Sequence, residues 1–396
     1  MIAKDIFEDL FVLEMSINHR GSFDRALDMV KEHSQIVRFN NVRCAIKLQF
    51  RDVDTFVHKD FRDRMDIRYI ARVMDRRLTW EQYGEIVNYI RRCGCIPMST
   101  PFDEESVGWC QTFNLPIIKI ASSDCNDWCL IEAIAKTRKP VIVSVGGASQ
   151  KDLDDLVTFF ENRDIPLAIN HCISAYPHED YECELNQIDF LKQRYPGHTI
   201  GYSCHEYADN ETSIMLAYGK GARTFERHID IDSDGTAIEK YCLTPEGVDQ
   251  WFKAWKKAKL FCGAEMNDKV MPLPREIQYL DKLIRGVYLK RDLKPGEELT
   301  EDDIYMAIPL QRGQLSTREM MFGSFKYRIT QTVKKDEPLL IDSIDSAYSN
   351  NAALKKQIYA RGLEVEKKPL KDPAKELSRE AGKEPSKEKD PVRVNS

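Results

Sequence analysis

The stretch PVIVSVGGASQKDLDDLVTFFENRDIPLAINHCIS, residues 140–174, decides the fold. It consists of two short apolar runs that flank a segment with helical periodicity. Short, continuous apolar runs are typical of strands in a parallel sheet that is covered on both faces. The spacing i, i+3, i+4 and i+7 places the apolar residues of the middle segment on one helical face. These residues are Leu153, Leu156, Val157 and Phe160. The stretch therefore predicts a strand, a helix and a second strand.

The same alternation continues in both directions, from about residue 11 to about residue 260. It predicts eight strands and eight helices. Eight strictly alternating units in a segment of this length favour a (β/α)8 TIM barrel over an open doubly wound sheet. No GxGxxG motif follows the first strand, which weakens a dinucleotide-binding alternative further.

The chain has 396 residues, more than a single core usually holds. We predict a barrel over residues 1–262, a proline-containing linker over 263–280 and a small, mainly β domain over 281–346. The remaining residues, 347–396, combine mixed charge with proline and have few apolar anchors. Such a segment cannot offset the entropy of ordering, so we predict a disordered tail.

Composition excludes several classes of protein. With 42% hydrophobic residues and a net charge of -6, the chain resembles a soluble globular protein and offers no overall attraction to nucleic acid or anionic membrane. No run approaches the roughly 20 apolar residues of a membrane span, and no secretory signal is evident. We therefore predict a cytoplasmic protein. Its eleven cysteines lack paired CxxC spacing, which indicates reduced thiols and no structural zinc site.

Polar residues gather where the predicted strands end, which is where TIM barrels carry their catalytic groups. Lys47 and Lys119 lie inside apolar strand runs, with the hydroxyls of Thr100 and Ser122 at nearby strand ends. Two point cations with hydroxyl donors beside them suit a phosphate and a carboxylate, both of which phosphoenolpyruvate carries. The alternative is that each lysine extends its ammonium group to solvent.

Two histidines end neighbouring strands: His205 ends the seventh and His228 the eighth. Glu14 lies on the first strand, next to the eighth in a closed barrel. Neutral imidazoles together with water and substrate oxygens make an open site for a divalent cation. The alternative is a structural role for each histidine. The acidic residues after His228, beginning with Asp230, are predicted to form a solvated loop.

Seven motifs, in order, resemble the sialic acid synthase family: EMSINHRGSFDRALDMV, AIKLQF, MSTPFDEESV, IIKIASSDCND, NHCISAYP, IGYSCHE and FERHID. In that family a (β/α)8 barrel precedes a small antifreeze-like domain, to which residues 281–346 are similar. The resemblance covers residues 11–346.

The resemblance implies condensation of phosphoenolpyruvate with N-acetylmannosamine or a related 2-acetamido sugar, giving a nine-carbon 2-keto acid and phosphate. His205 and His228 would hold Mn²⁺ or Mg²⁺, and Glu14 would lie near the reacting carbons. Tyr176 would contact substrate. The resemblance also implies a domain-exchanged homodimer. The residues implied to bind phosphoenolpyruvate, with Gln49 close by, are Lys47, Thr100, Lys119, Ser122 and Ser203.

The chain departs from the family at three positions that concern the acceptor sugar or phosphate. Asp124, a candidate catalytic carboxylate, stands in place of a glutamate, and Ser174 in place of an asparagine. The family's arginine in the antifreeze-like domain has no direct match, and Arg312 is the nearest candidate. A legionaminic- or pseudaminic-type synthase acting on a diacetamido-6-deoxy sugar therefore stays open. A non-catalytic sugar-binding barrel is the remaining alternative.

Overall fold

A computed structural model describes residues 6–207, 211–233, 235, 237–263, 269–346 and 349–364. The chain divides into two compact units, Met1–Glu265 and Met266–Ser396. No helix in these described ranges is long and apolar enough to cross a membrane.

The first unit is a closed barrel of eight parallel strands in chain order, which confirms the predicted TIM barrel. The strands are β1 (Leu10–Ser16), β2 (Cys44–Phe50), β3 (Ile96–Pro101), β4 (Ile118–Ile120), β5 (Val141–Ser144), β6 (Leu167–Cys172), β7 (Thr199–Cys204) and β8 (Thr224–His228). The helices up to the end of the barrel are α1 (Phe23–Asn40), α2 (Val53–Phe56), α3 (Arg68–Asp75), α4 (Trp80–Arg92), α5 (Glu104–Thr112), α6 (Trp128–Lys136), α7 (Gln150–Glu161), α8 (Asn186–Arg194), α9 (Thr212–Lys220) and α10 (Pro245–Cys262).

Helix α7 shows how local sequence produces the alternation. Ser149 caps its N-terminus, and the side chain of Asp152 completes a capping box with the Ser149 backbone. Its four predicted apolar residues are buried in the core that the barrel shares with its outer helices. The strands on either side, β5 and β6, are buried along their whole length because helices cover the outside of the sheet.

The barrel closes where β1 pairs with β8, and Glu14 lies in register with His228 on one side and with Lys47 on the other. Phe11 points outward at this seam. Its ring meets Trp251 and Trp255 of α10 at centroid distances of 5.0 and 5.2 Å, both edge-on. Edge-to-face packing of this kind adds to the burial energy. Closure of the barrel therefore places Glu14, Lys47 and His228 at neighbouring positions on three adjacent strands.

Helices α2 and α3 form an insertion that the sequence analysis did not assign. They lie between β2 and α4, and three valines hold them in a small cluster of their own: Val53, Val57 and Val73. The insertion follows the C-terminal end of β2, which is the end where barrel sites form.

Asp230 corrects the prediction of a solvated loop after His228. It is 1% exposed, and its carboxylate forms ion pairs with Arg25 at 2.7 Å and Arg20 at 3.4 Å. Buried carboxylates require such partners. Asp232 is exposed, as predicted, and Asp234, the third acidic residue of the predicted loop, lies outside the described residues.

The second unit is small and mainly β. Its elements are α11 (Pro274–Asp281), β9 (Gly286–Leu289), β10 (Glu298–Leu299), β11 (Ile304–Ala307), β12 (Tyr327–Ile329), β13 (Ile344–Asp345) and α12 (Ala352–Ala360). Strands β10, β12 and β13 form one antiparallel sheet, and β9 pairs with β11. The predicted linker thus contains a helix, α11.

The predicted disordered tail is wrong at its start, because α12 lies there. Asn351 caps this helix, and Ile358 is fully buried in the core of the second unit. The apolar residues of AALKKQIYA pack this helix onto the core of the second unit. The average composition of the whole tail did not reveal this short apolar segment. Residues 347, 348 and 365–396 of the predicted tail lie outside the described residues.

Candidate active site

A cavity of about 490 Å³ opens where the barrel strands end. It brings together all the predicted site residues except Asp124 and Arg312. Those that line it are Glu14, Lys47, Gln49, Thr100, Lys119, Ser122, Ser174, Tyr176, Ser203, His205 and His228.

The floor of the cavity is a cluster of four alternating charges. The ammonium group of Lys47 forms an ion pair with Glu14 and lies 3.4 Å from Oε1 of Glu226. Lys119 Nζ lies 3.5 Å from Oε2 of Glu226. Glu226 therefore bridges the two lysines, and the alternative of solvent-reaching lysines is wrong, since Lys47 and Lys119 are only 3% and 2% exposed.

Hydroxyl groups fix each lysine. Lys47 Nζ donates a hydrogen bond to Thr100 Oγ1 at 3.0 Å. Lys119 Nζ donates to Ser144 Oγ at 2.7 Å and to the carbonyl of Ile120 at 3.3 Å. Both ammonium groups are thus held in place before any ligand enters, which is the arrangement that electrostatic catalysis needs.

The pKa values of the two carboxyl groups are shifted in opposite directions. Burial raises the pKa of Glu14 and outweighs the opposing effect of Lys47. Burial also acts to raise the pKa of Glu226, but the charges of Lys119 and Lys47 outweigh it and lower that pKa overall. The ionised form of Glu226 is therefore favoured beside the lysines. Glu14 can take up a proton more readily, which suits a group engaged in acid–base chemistry.

His205 and His228 lie side by side, with ring centroids 5.2 Å apart. Nδ1 of His205 lies 2.9 Å from the carbonyl oxygen of Ile173, so Nδ1 carries the proton and Nε2 keeps its lone pair. Nδ1 of His228 is buried and has no hydrogen-bond partner. Burial lowers the pKa of His205 to about 4 and places that of His228 well below its ordinary value. Both imidazoles are therefore neutral at physiological pH.

These features fit a divalent cation. Neutral imidazole is the form that binds a metal, and the unpartnered nitrogen of His228 is otherwise a costly group to bury. Within the described ranges, no group of three or more histidine, cysteine, aspartate or glutamate side chains could hold a metal. Water and substrate oxygens would therefore complete the coordination, as in open catalytic sites.

A buried network behind the cavity positions the two histidines. Arg227, next to His228, donates to Oε1 of Glu206 at 2.9 Å and to the backbone oxygen of Glu206 at 3.1 Å. Glu206 directly follows His205, and Ser213 and Tyr202 also donate to its carboxylate. A buried ion pair held by several hydrogen bonds is rigid, so it ties the segment after β7 to β8.

Several cavity residues lacked a predicted role. Glu226 is two positions before His228 on the same strand, and the two-residue period of a strand puts both on one face, so a signal for it was present. Five others come from loops and from the insertion, where no periodic pattern indicates which side chains face the cavity. They are Arg51, Tyr69, Arg72, Phe102 and Tyr241.

The two remaining predicted residues lie elsewhere. Asp124 ends a short 3₁₀ turn after β4, and burial raises the pKa of its carboxyl group. Arg312 belongs to the second unit, where its guanidinium group forms an ion pair with Glu364. Their roles in the site stay predictions.

Gly146 leaves room for a ligand between the serines that follow β4 and β6. A Cβ atom at this position would lie 2.4 Å from Ser174 Oγ, 2.9 Å from the carbonyl oxygen of Cys172 and 3.2 Å from Ser122 Oγ. The backbone N–H of Gly146 donates to Ser122 Oγ at 3.1 Å. We expect Gly146→Ala to raise KM for the predicted ligand, phosphoenolpyruvate, by about tenfold or more, because the serines must move. Steady-state kinetics would measure this.

Gly108→Ala is the matched control, since a Cβ at Gly108 meets nothing within 4 Å. An unchanged KM in Gly146→Ala would show that the serines do not contact the substrate.

Comparisons with known proteins point to one family. The sequence model of the NeuB family matches residues 41–267. The chain is 26% identical to N-acetylneuraminate-9-phosphate synthase of Drosophila melanogaster, over 87% of this chain and 98% of that protein. It is 27% identical to pseudaminic acid synthase of Campylobacter jejuni, over 75% of this chain and 86% of that protein. A crystal structure described as spore coat polysaccharide biosynthesis protein E from Chromobacterium violaceum is 35% identical and covers 85% of this chain and 100% of that chain, with a TM-score of 0.80.

Proposed function

The chain belongs to the NeuB family, and from that premise we propose that it condenses phosphoenolpyruvate with a 2-acetamido sugar and water to give a sialic acid-type nonulosonic acid and phosphate. The observation that carries the proposal is the pair of buried, preorganised lysines beside two neutral histidines. This arrangement offers cations to a phosphate and a carboxylate and leaves a separate place for an aldehyde.

Phosphoenolpyruvate would bind on the floor of the cavity. Lys47 and Lys119 would neutralise its phosphate and carboxylate, with hydroxyl donors from Thr100, Ser122 and Ser203. Because both ammonium groups are already hydrogen-bonded, they need little reorganisation when charge develops on the leaving phosphate.

The reaction would then proceed by carbon–carbon bond formation. C3 of phosphoenolpyruvate attacks the aldehyde carbon of the sugar, water adds at C2, and cleavage of the C2–O bond releases phosphate. A divalent cation held by His205 and His228 would polarise the aldehyde as a Lewis acid. Glu14 lies in register with His228 and would orient the water or move a proton at the reacting carbons.

The acceptor is N-acetylmannosamine or a close relative, with a diacetamido-6-deoxy sugar as the second candidate. The relatives include proteins named for each type of product, so they support both. A non-catalytic sugar-binding barrel is the less favoured alternative, because the chain has a suitable residue at each position expected to bind phosphate or metal.

We also propose a domain-exchanged homodimer in which Arg312 reaches the partner's cavity. Sedimentation as a monomer would count against it.

The test is phosphate release from phosphoenolpyruvate with Mn²⁺ and each candidate sugar. We expect release only when an acceptor is present, because C–O cleavage follows carbon–carbon bond formation. Reactions without sugar and reactions with EDTA are the controls. Absence of release with every acceptor, from protein that binds phosphoenolpyruvate, would sink the proposal in favour of the binding barrel.

A further inference from the structure

The ring of His228 lacks the hydrogen bond that usually orients a metal-binding histidine. Such a ligand commonly donates its second ring N–H to a carbonyl or carboxylate group. His205 follows this pattern, because its Nδ1 lies 2.9 Å from the carbonyl oxygen of Ile173. Nδ1 of His228 has no hydrogen-bond partner in the part of the chain that the structure describes. The orientation of this ring therefore depends on packing.

Two tyrosine rings supply that packing. The ring of Tyr241 stands edge-on to His228, with centroids 5.2 Å apart and an angle of 88° between the planes. Tyr176 is also edge-on to His228, at 5.9 Å and 85°. The two tyrosine rings meet edge-on at 5.4 Å. Aromatic pairs favour this geometry, so both contacts oppose rotation of the His228 ring.

The two tyrosines differ in exposure. Tyr176 is 52% exposed, as expected for a side chain that meets a substrate, whereas Tyr241 is only 7% exposed. Exposed side chains change rotamer readily, so Tyr176 is the weaker support. Tyr241 is the better placed of the two to fix His228 before a ligand enters.

Backbone hydrogen bonds join the segment of Tyr241 to that of His228. The N–H of Leu243 donates to the carbonyl oxygen of His228 at 2.8 Å, and the N–H of Asp230 donates to the carbonyl oxygen of Leu243 at 3.0 Å. Ile229 and Leu243 thus pair as a parallel bridge. Because the tyrosine and the histidine lie on directly paired segments, the backbone fixes their separation.

The hydroxyl group of Tyr241 is held from another direction. It interacts with the side chain of Arg72, which lies on α3 of the insertion after β2. The hydroxyl group and the ring of Tyr241 therefore contact different partners, and the ring is the part that meets the histidine.

We infer that Tyr241 is a positioning residue for the metal site, whose ring holds the imidazole of His228 in one orientation before the cation binds. The inference rests on the proposed function, which requires the metal. It assigns to the ring of Tyr241 the task that the carbonyl group of Ile173 performs for His205.

The experiment is calorimetric titration of Mn²⁺ into wild-type protein and variants at Tyr241. We expect Tyr241→Leu to raise the dissociation constant for Mn²⁺ by about tenfold, the lower end of the effect of removing a contact around a metal ligand. Tyr241→Met fills more of the same volume without a ring and should bind Mn²⁺ equally weakly. Tyr241→Phe keeps the ring and should bind Mn²⁺ as wild type does.

Tyr218→Leu is the matched control, because Tyr218 is 6% exposed and packs edge-on against Trp255 in the outer helical layer. It should leave the affinity for Mn²⁺ unchanged. Thermal unfolding of each variant shows that the titrated protein is folded.

A double variant tests whether Tyr241 acts through His228. In the His228→Ala background, Tyr241→Leu should weaken Mn²⁺ binding no further, since the ring that it positions is gone. Equal losses in both backgrounds would overturn the inference, because Tyr241 would then have a general structural role. Wild-type affinity in folded Tyr241→Leu or Tyr241→Met would also overturn it.

Two further outcomes are distinct. Equal weakening in Tyr241→Phe and Tyr241→Leu would assign the effect to the hydroxyl group and overturn the inference, while the proposed function stands. Wild-type protein that binds no Mn²⁺ would overturn the metal site of the proposed function as well.

Discussion

Replacing Lys47 by methionine is expected to lower kcat/KM for phosphoenolpyruvate by about a hundredfold to a thousandfold, because loss of one preorganised donor in a buried site has an effect of this order. The substitution removes the cation that faces both Glu14 and Glu226. The two carboxylates would then repel each other and the incoming anion. Phosphate release under single-turnover and steady-state conditions would measure the loss.

Stability must be separated from chemistry in this variant. Removing one partner of a buried ion pair costs about 3–5 kcal/mol, so Lys47→Met should also lower the free energy of unfolding. Adding Glu14→Gln removes one of the stranded charges and should recover part of that stability and none of the activity. Lys151→Met, which breaks an exposed pair with Asp155, is the control that should change neither. Wild-type kcat/KM in folded Lys47→Met would exclude the lysine from the site.

His228→Ala is the second change with a large expected effect. Losing one of two imidazole ligands should weaken Mn²⁺ binding by more than about a hundredfold, since even changes around a ligand cost ten- to a hundredfold. Condensation should fall with it. Calorimetric titration with Mn²⁺ measures binding apart from activity, and His198→Ala, at the residue before β7, is the control.

The pH dependence of Mn²⁺ binding gives a further check on the histidines. Protons compete with a metal only below the pKa of the imidazole. Burial lowers the pKa of His205 to about 4 and that of His228 well below 6.5, so wild-type protein should still bind Mn²⁺ at pH 5. An ordinary exposed histidine would be protonated there. Binding that is lost near pH 6.5, or is unchanged in His228→Ala, would contradict the proposed metal site.

The barrel was predictable because its signal is periodic. A short apolar run such as 141–144, followed by a helix with one apolar face such as α7, recurs eight times along the chain. Because the strands are parallel, the polar residues at their C-terminal ends meet at one end of the barrel. The insertion was not predictable by this means, since α2 has four residues and the valines that anchor it are distributed over 53–73. Arg72 reaches the cavity only through that insertion.

The sequence indicated which residues form the site better than it indicated what each of them does there. Glu226 was visible as a strand-end carboxylate, but only the distances to Lys47 and Lys119 show that it joins them. The prediction of disorder at the start of the tail was wrong because it relied on composition alone. Composition averaged over 347–396 conceals the short apolar face on which Ile358 is buried.

The alternating charges on the cavity floor have a consequence for turnover. Glu14 and Glu226 already neutralise the two lysines, so an arriving substrate exchanges one set of anions for another. Its net affinity is the difference between two similar attractions, which favours moderate binding. The same exchange runs in reverse at the end of the proposed reaction, when the built-in carboxylates compete with inorganic phosphate for the lysines. Glu14 and Glu226 would thus help to displace inorganic phosphate from the lysines, and release of the product would not require binding of a new substrate.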